Sequence, residues 1–216
     1  MRYALALLVL VACGGEPEIE LSRESPLLDP GGARLEAPET FKVKFETTKG
    51  DFVVQFQSSW SPGGVDRIYN LVKLGYYDGT AFFRVMKGKW AQWGIHGDPA
   101  VNRAWSRMRI ADEPSQYGNV RGTVTFARTP KRDSRTTQLF INLGDNRMLD
   151  RMRGFNPVGK VVEGMQTVDR LYRGYGDGPP EGRGPHQGTL EQRGNVYLKE
   201  EFPNLDYIKR ATIVGE

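Results

Sequence analysis

Phe82-Phe83-Arg84-Val85-Met86-Lys87-Gly88-Lys89-Trp90-Ala91-Gln92-Trp93-Gly94 sets one arginine and one glutamine eight residues apart among large apolar side chains. A second stretch runs Gly122-Thr123-Val124-Thr125-Phe126-Ala127-Arg128 and resumes at Gln138-Leu139-Phe140-Ile141-Asn142. Residues 81–85, 90–93, 122–127 and 139–142 are strand-like pieces. On such a strand Gln138 and Phe140, two apart, point to the same face. Upstream, Phe41, Val43 and Phe45 alternate with Lys42, Lys44 and Glu46; after the turn Lys49-Gly50-Asp51, Phe52, Val54 and Phe56 resume the period, which predicts a hairpin. Pro62-Gly63-Gly64 then opens a helical period at Val65, Ile68, Leu71 and Val72 that ends near Gly75. Further along, 158–162 reads as a strand, 165–171 as a short helix, 194–202 as one or two helical turns and 207–214 as a closing strand. Many short strands, a few helices and Gly-rich turns predict a mainly β chain, a β-barrel capped by helices.

Two connections are longer than a compact domain needs. Residues 97–121, with Trp105, Met108 and Ile110, read as a covering loop. Residues 174–194, opening Gly174-Tyr175-Gly176-Asp177-Gly178-Pro179-Pro180, are dominated by Gly, Pro and charge, and a loop of that length is usually functional or mobile. The charge balance is mildly basic, +4 at pH 7, with both signs mixed along the chain. Lys131, Arg132, Arg135, Arg147, Arg151 and Arg153 read as a solvated basic face, not as the clustered stripe of a nucleic-acid site, so no nucleic acid is expected.

At the N-terminus, Met1-Arg2 is a minimal positive region and residues 3–12 are an apolar run too short to span a bilayer. The run ends Leu10-Val11-Ala12-Cys13, which resembles a bacterial lipobox. That resemblance implies cleavage before Cys13 and acylation of its thiol, hence a membrane anchor. Cys13 is the only cysteine, so such a mature chain has no spare thiol for a disulfide or a metal. Three parts follow: residues 1–12 a signal peptide; 13–40 the lipidated cysteine and a Gly-, Pro-, Glu- and Ser-rich flexible tether; 41–216 the folded domain. An ordered extension packing through Leu27-Leu28 is the competing reading of the tether. The expected location is the cell envelope on the periplasmic side. Gly14 in place of a retaining aspartate leans toward the outer membrane.

In combination the two opening stretches resemble the active-site segments of cyclophilins, the peptidyl-prolyl cis–trans isomerases, over residues 41–173. The resemblance implies a closed antiparallel β-barrel capped by helices, a monomer, and binding of proline-containing polypeptides without a cofactor. It makes Arg84 and Gln92 the catalytic pair. The substrate-binding set is Trp90, Ala127, Arg128, Gln138, Phe140, Met148, Leu149 and Phe155. In that set Gln138 lies near the substrate backbone, Phe140 forms the floor of the proline pocket with Leu149 beside it, and the backbone of Ala127 and Arg128 holds the residue before proline. Trp90 stands where the family commonly has methionine, Phe155 where many members have histidine, and Met148 where cyclosporin-sensitive members have tryptophan. Phe83 replaces a histidine, and Lys89 replaces a pocket phenylalanine.

The implied chemistry suits these residues. The prolyl amide resists rotation by about 18–20 kcal/mol because its C–N bond is partly double. No bond has to break, so a guanidinium donating to the carbonyl and toward the pyramidalising nitrogen suffices. Other chemistries lack their parts. His96 and His186 are the only histidines, too few with Cys13 for a transition-metal cluster. There is no Gly-x-Ser-x-Gly elbow for a hydrolase, and the Gly174–Gly178 run does not join a strand to a helix as a nucleotide loop must. The alternative class is a scaffold that binds proline segments with little turnover. Lys89 across the pocket mouth would favour it; Lys89 in solvent would favour the enzyme.

Overall fold

The computed structural model describes residues 25–114 and 116–215; the signal-peptide and lipobox readings, Cys13 included, fall outside them. Eight strands make one sheet: β1 (Thr40–Thr47), β2 (Gly50–Gln57), β3 (Arg84–Met86), β4 (Trp90–Trp93), β5 (Thr123–Phe126), β6 (Leu139–Asn142), β7 (Pro157–Glu163) and β8 (Ile208–Val214). Their order is β3-β4-β6-β5-β7-β2-β1-β8 and every ladder is antiparallel. In the expected hairpin Phe41 faces Phe56, Val43 faces Val54 and Phe45 faces Phe52, so the apolar half of each alternation turns to one buried face. The segments leading into the edge strands β3 and β8 meet at an isolated bridge, Ala81 to Tyr207, and Phe82 N–H donates to the Asp206 carbonyl at 2.8 Å.

Helix α1 (Pro62–Lys73) opens on its proline and buries Val65, Ile68, Leu71 and Val72, as the period requires. One further helix lies inside the first supposed loop and another begins inside the second. In 97–121, α2 (Pro99–Trp105) is capped by Asp98, whose carboxylate accepts from Ala100 N–H at 2.7 Å, and it sinks Trp105 into the core. After the short α3 (Met165–Asp169), α4 (Gln187–Glu201) starts seven residues before the expected turns at 194–202, with a break at Gly194. The end of the segment that composition assigns to a tether packs on the domain. Leu27 is buried and its carbonyl accepts from Trp105 Nε1 at 2.9 Å. Asn70, on α1, takes both backbone groups of Leu35, at 3.0 and 2.7 Å. These are side-chain partners distant in sequence, which composition does not reveal.

A second, smaller core lies apart from the main one. Phe83 and Ile95 meet Leu190, Tyr197 and Leu198 of α4 and Phe202 beyond it. It ties the C-terminal helix to the strand that carries Arg84.

Candidate active site

Strand register assembles the site. Arg84 on β3 pairs with Gln92 on β4, Gln92 with Phe140 on β6, and Phe140 with Thr125 on β5. Directly opposed residues share a face, so these side chains form one row across the sheet. Two residues along, Met86, Trp90 and Asn142 form a parallel row. The intervening Val85, Ala91, Ile141 and Val124 turn to the opposite face and are buried. Gly94 ends β4 at φ 101°, and a Cβ there would stand 2.6 Å from the Thr137 carbonyl oxygen, so only glycine lets β4 lie this close to the start of β6.

Arg84 and Gln92 of this row are linked in series to Gln138, two residues before Phe140. Arg84 Nη1 donates to Gln92 Oε1 at 3.2 Å, and Gln92 Nε2 donates to Gln138 Oε1 at 2.9 Å. Gln92 is only 4% exposed, so its amide orientation is fixed by these two bonds. The Arg84 guanidinium also lies over the Trp90 ring, 5.0 Å from its centroid. The apolar members adjoin them: Phe140 is 4% exposed, with Trp90 and Phe155 at centroid distances of 6.0 and 6.2 Å.

The sequence model of the family described as cyclophilin type peptidyl-prolyl cis-trans isomerase/CLD matches residues 42–187. The chain belongs to this family. Peptidyl-prolyl cis-trans isomerase A of Dickeya dadantii is 33% identical over 132 residues, 60% of this chain and 70% of the relative. A peptidyl-prolyl cis-trans isomerase of Acinetobacter baylyi is 30% identical over 153 residues, 69% and 79% of the two chains. The fold is similar to that of a cyclophilin type isomerase of Cryptosporidium parvum, with a TM-score of 0.60 at 20% identity over 82% of this chain and 99% of that one; the Cryptosporidium protein was also solved in the presence of the dipeptide Ala-Pro. The cyclophilin half-barrel is therefore the frame of the site, and prolyl isomerisation is the family's reaction.

The remaining positions fall around this cluster unequally. Ala127 N–H donates to the Gln138 carbonyl at 2.9 Å, aligning 127–128 beside β6. The Arg128 guanidinium sits 5.5 Å from the Phe155 ring centroid and 3.8 Å from Asp112. Leu149 is buried in a 3₁₀ turn, Arg147–Arg151, that Asp150 fastens by accepting from Asn119. Met148 on that turn is 77% exposed, and the structure does not bring it into the aromatic cluster. Lys89 is exposed, with Nζ 5.9 Å from the Trp90 centroid, and Phe83 belongs to the second core. A cavity of about 250 Å³ opens beside Gln138, lined by Tyr76, Trp105, Thr137 and Glu191 among others. Burial pushes the Glu191 carboxyl above its ordinary range. Among the described residues no three His, Cys, Asp or Glu side chains converge as a metal site would need.

One residue at the centre was not legible as a site residue. Asp177, from the 174–194 connection, accepts from Arg84 Nε at 2.6 Å and from Nη2 at 2.8 Å. Burial pushes its carboxyl up, but the hydrogen bonds and charge of Arg84 outweigh this and hold it below the usual range. The only sequence signal was the unusual length of its loop.

Proposed function

We propose that this chain is a membrane-tethered, extracytoplasmic peptidyl-prolyl cis–trans isomerase acting on Xaa-Pro bonds of exported proteins. The hydrogen-bonded series Arg84–Gln92–Gln138, set beside Phe140, carries the reading. Arg84 donates to the carbonyl before proline and toward the prolyl nitrogen as it loses conjugation, which stabilises the twisted amide more than either planar isomer. Gln92 fixes the guanidinium through Oε1, and Gln138 fixes Gln92. Phe140 with Trp90, Leu149 and Phe155 offers the apolar floor for the ring, while the backbone at 127–128 lies alongside for the preceding residue. The β3 and β8 edges, meeting near Ala81 and Tyr207, support a sheet curled toward closure. Acylation of Cys13 would keep the enzyme at the envelope, where slow prolines limit the folding of secreted chains. Metabolic labelling with palmitate, with and without globomycin, tests the anchor; an unlabelled chain would refute it.

The activity test is isomerisation of an Ala-Xaa-Pro-Phe peptide series by the full chain and its Arg84→Ala variant. Turnover that falls at least about tenfold in the variant, 1.4 kcal/mol of barrier, is expected. A folded wild type without turnover would select the scaffold reading instead.

A further inference from the structure

The pairing of Arg84 with Asp177 is specific in its geometry. A guanidinium carries five N–H groups. Asp177 takes one on Nε and one on Nη2, and Gln92 takes one on Nη1. The two left are one on Nη1 and one on Nη2. The carboxylate thus engages the Nε edge, leaving Nη1 and Nη2 each a donor for a substrate. The guanidinium carbon also lies over the Trp90 ring, 5.0 Å from its centroid. The two charged side chains are 25% and 15% exposed, so the pair is partly withdrawn from water without being sealed from it.

The loop is built to hold that carboxylate in place. Gly178 N–H donates to Asp177 Oδ1 at 2.8 Å, Gly184 N–H to the Asp177 carbonyl at 2.6 Å, and Gly182 N–H to the Gly178 carbonyl at 3.0 Å. Before it, Tyr175 packs edge-on against Tyr172 and Phe202; after it, His186 N–H donates to the Tyr197 hydroxyl at 3.2 Å. Both ends are therefore fastened to the second core. Tyr197 and Phe202 lie beyond residue 187, where the family match ends.

We propose that Asp177 is a positioning residue for the isomerase reaction: it fixes the Nε edge of Arg84 so that the remaining Nη1 and Nη2 donors face the prolyl amide. The proposal rests on Arg84 being the group that acts on that amide. An arginine held on its edge, at one Nη and against an aromatic ring meets the twisting amide already oriented, so the benefit falls on turnover more than on binding.

Exchange NMR of an Ala-Ala-Pro-Phe peptide separates kcat from KM, and the Arg84 Nε–H resonance of the same full-length samples reports the guanidinium directly. In Asp177→Ala, kcat is expected to fall about tenfold with KM nearly unchanged, and the Nε–H resonance to lose its protection from exchange. Asp177→Asn keeps the shape and one acceptor, so it should recover part of kcat and of the protection, and it serves if the alanine variant folds poorly. Asp169→Asn, which breaks the close but exposed pair with Arg121, should leave kcat at the wild-type value. Faster turnover in Asp177→Ala would make the carboxylate a brake and overturn the proposal, as would unchanged kcat or a loss confined to KM. If the wild type itself shows no turnover, the enzyme reading fails separately. The Nε–H resonance still decides positioning: loss of protection in Asp177→Ala supports it, and persistence overturns it.

Discussion

At the scale of single residues, the site depends on how few donors the guanidinium has left to offer. Lysine at position 84 would keep the charge but present a compact ammonium with no planar fork, unable to serve Asp177, Gln92 and a substrate in fixed directions. Arg84→Lys is therefore expected to recover little of the activity lost in Arg84→Ala, remaining at least about tenfold below wild type in the same peptide assay. Recovery to near the wild-type rate would mean that charge alone suffices. Arg84, Gln92, Gln138 and Phe140 stand out in the sequence because they sit in apolar strand contexts at spacings that resemble those of one family, and the structure brings them together. Their adjacency follows from register, which pairs Arg84 with Gln92 and Gln92 with Phe140. Asp177 was not legible for a physical reason: its partner is 93 positions away, and an aspartate among glycines and prolines is an ordinary turn residue.

At the scale of elements, periodic pieces were easier to read than aperiodic ones. The β1–β2 hairpin and α1 declare themselves through two-fold and 3.6-fold alternation. The 97–121 stretch reads as loop although Asp98-Pro99 is a cap followed by a first-turn proline; the helix it starts is seven residues long, too short to show a period. Part of the remainder of that stretch is held by an ion pair. Arg135 is fully buried and donates to Glu113, to Ser61 and to the Ala111 carbonyl, while Glu113 also accepts from Ser61 and from Gly63 N–H at the start of α1. Burial raises the Glu113 carboxyl, but the bonds from Ser61, Arg135 and Gly63 outweigh it and leave the folded state below the ordinary 4.5. A carboxyl depressed on folding adds stability that is full above its unfolded value and disappears as pH falls through the folded one. Glu113→Gln should thus cost about 1–2 kcal/mol at pH 7, the range of hydrogen bonds to a charged group discounted for the solvent contact Glu113 retains. Urea melts at descending pH should show wild type and variant converging below pH 4.5. A gap that stays constant into acid would mean that the charge of Glu113 contributes nothing.

At the scale of the whole molecule, the half-barrel supplies Arg84 and its row, and the C-terminal part supplies what holds Arg84 from outside. The two are joined at a point the sequence disguised, since Gly194 was read as the start of a helical turn. It is a break inside α4, with φ 60° and ψ −150°, a region essentially restricted to glycine. A Cβ there would run into the Gly97 carbonyl oxygen, the same oxygen that accepts from Asn195 N–H at 2.9 Å. So α4 docks through Gly194 onto the chain leading into α2, and by docking it presents Tyr197 and Leu198 to the core behind β3. Alanine at 194 should cost about 1–3 kcal/mol from the backbone alone, with the lost contact added. The consequence should travel further than stability. With α4 displaced, the loop tied to Tyr197 and Phe202 loses its footing, and Asp177 with it. Gly194→Ala is therefore expected to lower the urea midpoint, to speed amide exchange over 174–186 more than over β1 and β2, and to reduce kcat in the direction of Asp177→Ala. Lost stability with protected amides in that loop and an unchanged kcat would show that α4 steadies the fold without steadying the arginine. The Asp177 loop would then have to be held by its own glycine turns.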